Sequence, residues 1–157
     1  MAIFDQNQSV YEKADVVSEY VETNWIQPPE AILMMRYIQS IFQRRVLDIG
    51  VGTGRTTRFL QEITQQYVGV DYSNEMVKVC RKCFSELTFF HCDVCDLKRF
   101  EPGSFDFVLF SFNGLDYISH DDRKLALRQI HRVLRPGGCL CSLLTIATTR
   151  RQSRIRN

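Results

Sequence analysis

The chain has 157 residues, 45% of them hydrophobic and 24% charged. That length gives one domain as its expectation, with roughly 68–70% of the unfolded surface removed from water, enough for a core without staples. Twenty basic and 18 acidic side chains leave a net charge of +2, a balance too even to argue for a nucleic-acid partner. The local exception is Arg150, Arg151, Arg154 and Arg156 in the final eight residues; the stretch 147–157 reads as a basic, disordered tail. No apolar run reaches the roughly 18 residues of a membrane span. The opening MAIFDQNQSV has neither the basic start nor the apolar h-region of a secretory signal. Six cysteines in that setting read as reduced thiols of a cytoplasmic protein.

In chain order, Val10, Ala14, Val17 and Val21 stand at helical spacing within residues 9–23 and predict an amphipathic helix. Pro28-Pro29 sets a fresh start. A second helix follows to Phe42, with Ile32, Leu33, Met35, Ile38 and Ile41 as its apolar residues. Residues 1–44 are thus expected to be a helical cap. From position 45 the pattern changes. Residues 45–49 are a short apolar strand ending in glycines, 55–65 a helix and 67–71 a second strand. Ser73 caps a helix over 74–84, with Glu75 and Lys82 suiting its dipole. Residues 87–91 give a third strand and 105–110 a fourth. A helix over 121–134 presents Leu127, Ile130, Val133 and Leu134 on one face and ends at Pro136-Gly137-Gly138. A fifth strand runs from Cys139 to Ile146. Strands alternating with helices predict an α/β fold: a doubly wound, mostly parallel sheet between two helical layers. Ligands of such sheets bind outside the carboxyl ends of the strands, which directs attention to the loops after residues 49, 71, 92 and 110.

The first of these loops reads Asp48-Ile49-Gly50-Val51-Gly52-Thr53-Gly54, directly between a strand and a helix. Glycines let the chain turn tightly and let a ligand approach bare main chain. The G-x-G-x-G spacing departs from the nicotinamide fingerprint G-x-G-x-x-G at Arg55, which disfavours a nicotinamide-dependent reductase without abolishing it. The absence of G-K-[ST] excludes a Walker loop. Asp71 ends the second strand, where a carboxylate accepts from both ribose hydroxyls of a nucleoside cofactor. Asp93 ends the third in a parallel position, suited to an adenine amino group, with the Val94 amide as a neighbouring donor.

Taken together, VLDIGVGTGRTTRF (46–59), VGVDYSNEMV (68–77), FFHCDVCDL (89–97), FDFVLFSFNGLDYI (105–118) and LRQIHRVLRPGGCLCSLL (127–144) resemble, in order, the motifs of a class I S-adenosylmethionine-dependent methyltransferase. The resemblance spans about residues 45–146 and implies S-adenosyl-L-methionine as cofactor in a Rossmann-like domain. It implies that Asp48, Gly50, Gly52 and Gly54 line the methionine part and Asp71 holds the ribose. Tyr72 and Met76 would flank adenine, Asp93 and Val94 would address its edge, and Ser111 and Asn113 would sit near the transferable methyl. Tyr11 or Tyr20 would close over the site. The implied chemistry is in-line methyl transfer to a small-molecule acceptor, needing chiefly proximity and alignment. His120 and Asp116 are weak candidates for a base, and His131 reads as a surface or packing histidine. No catalytic residue is assigned.

The usual fold of that family has seven strands, and five are accounted for here. The fifth would be an apolar edge inviting a second copy or a partner chain. The alternative function is therefore a cofactor-binding but inactive subunit completed by a partner. Cys80-x-x-Cys83 and Cys92-x-x-Cys95 raise a four-thiolate zinc site as a rival. However, the first pair falls on one side of a helix without turn residues, so no metal is expected. Cys139 and Cys141 are read as facing opposite sides of the fifth strand.

Overall fold

A computed structural model describes residues 13–22, 25–110, 114–116, 118 to 143. The elements in chain order are α1 (Ala14–Glu22), α2 (Pro28–Arg36), α3 (Ile38–Ile41), β1 (Val46–Ile49), α4 (Thr57–Leu60), β2 (Tyr67–Asp71), α5 (Asn74–Cys83), β3 (Thr88–His91), β4 (Phe105–Phe110), a 3₁₀ turn (Gly114–Asp116), α6 (His120–Val133) and β5 (Leu134–Ser142). The five strands form one sheet in the order β3-β2-β1-β4-β5, and every pairing is parallel. The chain moves outward from β1 through β2 to β3, then crosses back to β4. The strand order therefore reverses at β1, and the switch point lies at the carboxyl ends of β1 and β4.

Both faces of the sheet are covered, which explains why β1 is buried at all four positions and reads as a continuous apolar run rather than an alternation. One face holds Val46, Tyr67, Phe89, Phe107 and Leu109 against Met34, Ile41, Leu60, Val77 and Cys80 from α2 to α5. The other holds Leu47, Ile49, Val70, Val108 and Phe110 against Ala126, Ile130 and Val133 of α6. The three-layer α/β/α architecture expected from the alternation is the one observed.

Several local expectations are corrected. Tyr37 interrupts the second helix, dividing it into α2 and α3. Its buried apolar residues are Met34 and Ile41, whereas Ile32 and Met35 are 65% and 69% exposed. Helix α4 is a single turn. In α6 the buried set is Ala126, Ile130 and Val133, at i, i+4 and i+7, while Leu127 faces outward; small Ala126 holds the core stripe that hydrophobicity alone assigned to leucine. The cap of α6 is Ser119, whose Oγ accepts from the Asp122 amide at 3.2 Å. Strand β5 begins at Leu134 and runs through Pro136-Gly137-Gly138 instead of starting after it. Proline is tolerated there because the ladder with β4 shifts register between Phe105 and Phe107. Cys139 and Cys141 share one face, as residues two apart on a strand must; their Sγ atoms are 3.8 Å apart. The expectation that they face opposite sides is wrong. Cys80 is buried while Cys83 is exposed. Expectations for Val10, Tyr11, Ser111, Asn113, the arginine-rich tail and residues 144–146 lie outside the described residues.

Truncating Met34 to alanine should destabilise the fold by about 2–5 kcal/mol, since it is fully buried between α2 and the sheet. The same change at exposed Met35 should stay within about 0.5 kcal/mol. Urea unfolding of the two variants checks the assignment of the buried face.

Candidate functional site

The glycine loop leaves β1 at Ile49, turns, and enters α4. Gly52 has φ +55°, a left-handed conformation that a β-branched residue resists. This turn aims the Gly52 amide at the end of β2, where it donates to Asp71 Oδ2 at 2.9 Å. The other oxygen, Oδ1, accepts from the Ser73 amide at 2.8 Å. Asp71 is 5% exposed. Burial pushes its carboxyl up from the ordinary range, opposed by the Ser73 and Gly52 amides and by His91. A carboxylate has about four acceptor positions, and the Gly52, Ser73 and Tyr72 amides occupy three of them, so Asp71 retains about one further acceptor position. Behind the loop, the Cys80 thiol donates to the Gly52 carbonyl at 3.2 Å, so the peptide groups on both sides of this residue are held.

Gly54 has a different role. Its φ is +89°, and a Cβ there would lie 2.3 Å from the Phe84 ring. The ring at the end of α5 packs directly onto bare backbone, and the vacant side of this glycine faces the core.

Asp48 is fully buried on the same sheet face as Tyr67, two residues from Gly69, its register partner on β2. Thr56 Oγ1 donates to Asp48 Oδ2 at 2.6 Å, and Tyr67 Oη donates to the same oxygen at 2.9 Å. Because the single phenolic proton goes to Asp48, the 2.7 Å contact between Thr57 and Tyr67 has the threonine as donor. The other oxygen, Asp48 Oδ1, is buried with no hydrogen-bond partner. Burial raises the Asp48 pKa to about 7, against the two hydroxyl donors; Glu30 adds to the rise and Arg55 opposes it.

Glu30 and Arg55 form a second polar group nearby. Glu30 is 1% exposed and its Oε1 meets Arg55 Nη2 at 2.8 Å, while Oε2 accepts the Gln27 amide at the start of α2. Thr53 Oγ1 donates to the Tyr20 carbonyl at 3.0 Å. The Tyr20 ring lies 3.8 Å from where a Gly52 Cβ would be. Two loop residues, Thr53 and Arg55, thus tie the glycine turn to α1 and α2, and Tyr20 covers its middle glycine.

The remaining candidates are distributed less tightly. The Tyr72 carbonyl accepts from, or faces, His91 Nε2 at 2.8 Å. Met76 is 2% exposed, its amide capped by Ser73 Oγ at 3.3 Å. Asp93 Oδ1 accepts the Cys95 amide at 2.8 Å, closing the turn after β3. The Val94 side chain is buried in the α6-side core. Asp116 in the 3₁₀ turn and His120 at the start of α6 are both exposed, as is His131. Gly50 takes φ +70° beside Phe110. Sequence reasoning missed Thr56, Thr57, Tyr67, Glu30 and Cys80. The one available signal was Tyr67, a hydroxyl at the start of a buried strand, on the face that period-two alternation shares with Asp71.

The raised Asp48 pKa has a defined sign. Between the ordinary value of 3.8 and about 7 the folded chain holds a proton that the unfolded chain has released. The group's favourable contribution is complete below 3.8 and is lost as pH rises through 7, on the order of 4 kcal/mol in all. Asp48→Asn, which keeps an acceptor for Thr56 and Tyr67, should flatten that decline. Urea unfolding of both proteins between pH 4 and pH 8 measures it.

Residues 46–138 match the family described as Methyltransferase domain. The chain is similar to a demethylmenaquinone methyltransferase from Clavibacter sepedonicus, with 30% identity over 141 residues that cover 87% of this chain and 54% of that protein. Among solved structures it is similar to the YcgJ protein from Bacillus subtilis, at 29% identity and a TM-score of 0.62, covering 70% of this chain and 47% of that one. An S-adenosylmethionine-dependent methyltransferase structure from Methanococcus maripaludis shares the fold, at a TM-score of 0.67, 20% identity, and coverage of 82% of this chain and 62% of that one. The chain spans about half the length of the curated relatives it matches. Nothing in these matches favours a nicotinamide enzyme. With the sheet order, the glycine turn and the acid at the end of β2 already in place, the chain belongs to the methyltransferase-domain family, in the class I S-adenosylmethionine-dependent group.

Proposed function

We propose that this chain binds S-adenosyl-L-methionine across the carboxyl ends of β1 and β2 and serves methyl transfer to a small-molecule acceptor. The observation that carries the reading is the joined pair of Gly52 and Asp71: a glycine turn, bare of side chain, hydrogen-bonded to a buried carboxylate with acceptor capacity to spare. The buried Asp48 Oδ1, an acceptor without a donor, fits a ligand that brings an ammonium group. The residues present therefore suit the cofactor's chemistry.

In this reading Asp71 grips the ribose diol. The backbone of Gly50 and Gly52 receives the methionine portion, and Asp48 faces the ammonium. Tyr20 excludes water from above Gly52. Tyr72, Met76, Asp93 and Val94 define the adenine side as implied by their motif positions, and Ser111, Asn113 and Tyr11 keep the roles the resemblance gives them. When bound, the cofactor supplies an electrophilic methyl on a sulfonium. The chain's own part is then alignment and desolvation, with neither His120 nor Asp116 required as a base. The names of curated relatives, demethylmenaquinone methyltransferases, support a small-molecule acceptor. The division into a cap of 1–44 and a core of 45–146 is kept from the sequence reading; among the described residues no helix is long and apolar enough to cross a membrane. Six unpaired thiols support a reducing cytoplasmic compartment.

Calorimetry with S-adenosyl-L-methionine tests binding, and a labelled-methyl assay over candidate acceptors tests turnover; binding without turnover would instead support the partner-completed subunit. Gly52→Val should abolish binding, because its φ is positive and its vacant side is close to Tyr20, while leaving the far-UV spectrum nearly native. Asp71→Ala should weaken binding by about 1–3 kcal/mol. Unchanged affinity in both variants would overturn the site.

A further inference from the structure

Every cysteine of the chain lies among the described residues, and three of the six thiols are engaged with backbone. Cys80 donates to the Gly52 carbonyl. Cys92 approaches the Asp93 and Asp96 carbonyls, and Cys95 the Asp122 carbonyl. Cys139 and Cys141 differ. Their contact is with one another, Sγ to Sγ at 3.8 Å. Both project from β5 into the core face that contains Phe107 and Leu109, and the ladder with β4 fixes them, Cys139 opposite Phe107 and Cys141 opposite Leu109. Cys139 is half-buried and Cys141 is 6% exposed, so the pair lies at the margin of this core face.

A direct bond between these sulfurs is opposed by the backbone. Residues two apart on a strand are separated by roughly 6.4–6.8 Å, the far limit for disulfide Cα atoms, and their parallel Cβ bonds do not converge as a disulfide needs. A single atom placed between the sulfurs needs no such convergence. We propose that Cys139 and Cys141 form a two-sulfur site for one soft monovalent metal ion of the Cu(I) class. Thiolate pairs select soft ions, and Cu(I) accepts two-coordinate binding. Structural zinc instead takes four ligands, and no His, Cys, Asp or Glu among the described residues joins this pair in a group of three. Binding exchanges the two S–H protons, released to buffer, for two metal–sulfur bonds, with no change of oxidation state. Because both ligands must lose their protons to bind, affinity should rise with pH.

The test is anaerobic titration of the fully reduced chain with Cu(I) against a chromogenic chelator, with X-ray absorption on the loaded protein. One equivalent per chain with two sulfur neighbours is expected. Cys139→Ser, at the half-buried position, should weaken binding by at least about 100-fold, more than loss of an outer-shell partner costs, with an unchanged far-UV spectrum. The triple variant Cys83→Ser, Cys92→Ser and Cys95→Ser should retain the site. Wild-type affinity in the Cys139 variant, loss of the site in the triple variant, or three or more sulfurs around the metal would each overturn the proposal.

Discussion

The site is organised by one hydrogen bond, from the Gly52 amide to Asp71 Oδ2. It forms only because β1 and β2 are parallel neighbours in a register that pairs Ile49 with Val70, so that both strands end at the same height. The glycine turn then folds back across the gap and the acid meets it. A shift of one residue in that register would turn Asp71 to the opposite face of the sheet, and the turn would lose the anchor that orients it. The apolar residues of β1 and β2 therefore do more than fill the core. They set the height at which a backbone donor and a buried carboxylate come together.

Around that bond, burial makes polar groups specific. Asp48, Thr56, Thr57 and Tyr67 form a polar island within a core face otherwise made of Val46, Leu60, Val77 and Phe107. Such groups cost free energy unless fully partnered, and here one oxygen of Asp48 is left without a donor. The Glu30–Arg55 pair is the same kind of feature on the other side of the loop. It joins the helices before β1 to the residue just beyond Gly54. Together with Thr53 and Tyr20, it makes the position of α1 and α2 depend on the conformation of the glycine turn. In physical terms, the cap and the turn are coupled elements, and whatever reshapes the turn is felt in the helices above it.

The sheet and the end where its glycine turn lies were legible because they rest on short-range chemistry: apolar runs too short for helices, punctuated by Gly50-Val51-Gly52 and by Pro102-Gly103. Which side of each helix is buried was less legible. Ile32 and Met35 are as apolar as Met34 and Ile41, and only the packing of α2 and α3 against β4 decides between them. Ala126 lost to Leu127 in the sequence reading for the same reason. The start of β5 was hidden by Pro136, a residue that ordinarily ends a ladder and here coincides with its irregularity. The partners of Asp48 were also hidden, because Tyr67 is 19 residues away and reaches it only through strand register. Local signals fixed the elements and their order; the polar contacts that give the site its electrostatics are long-range.

The two ends of the sheet use the same residue type in opposite ways. At the amino end, Asp106 opens the β4 ladder and meets Arg45 at 3.1 Å and also Arg135. Partial burial alone would raise it, but hydrogen bonds and charge from Arg45 and Arg135 hold it down to about 2. It stays ionised at any ordinary pH and contributes stability that is lost only on acidification towards 2. At the carboxyl end, Asp48 and Asp71 are buried where their nearest donors are neutral amides and hydroxyls, and both are pushed upward. An acid with matched cations has little left to offer a ligand. An acid that is desolvated and incompletely satisfied gains from a bound cation or a pair of hydroxyls the stabilisation that the protein withholds. The asymmetry between the ends is thus a physical reason why a ligand with cationic or hydroxyl groups would favour the carboxyl end, independent of any motif.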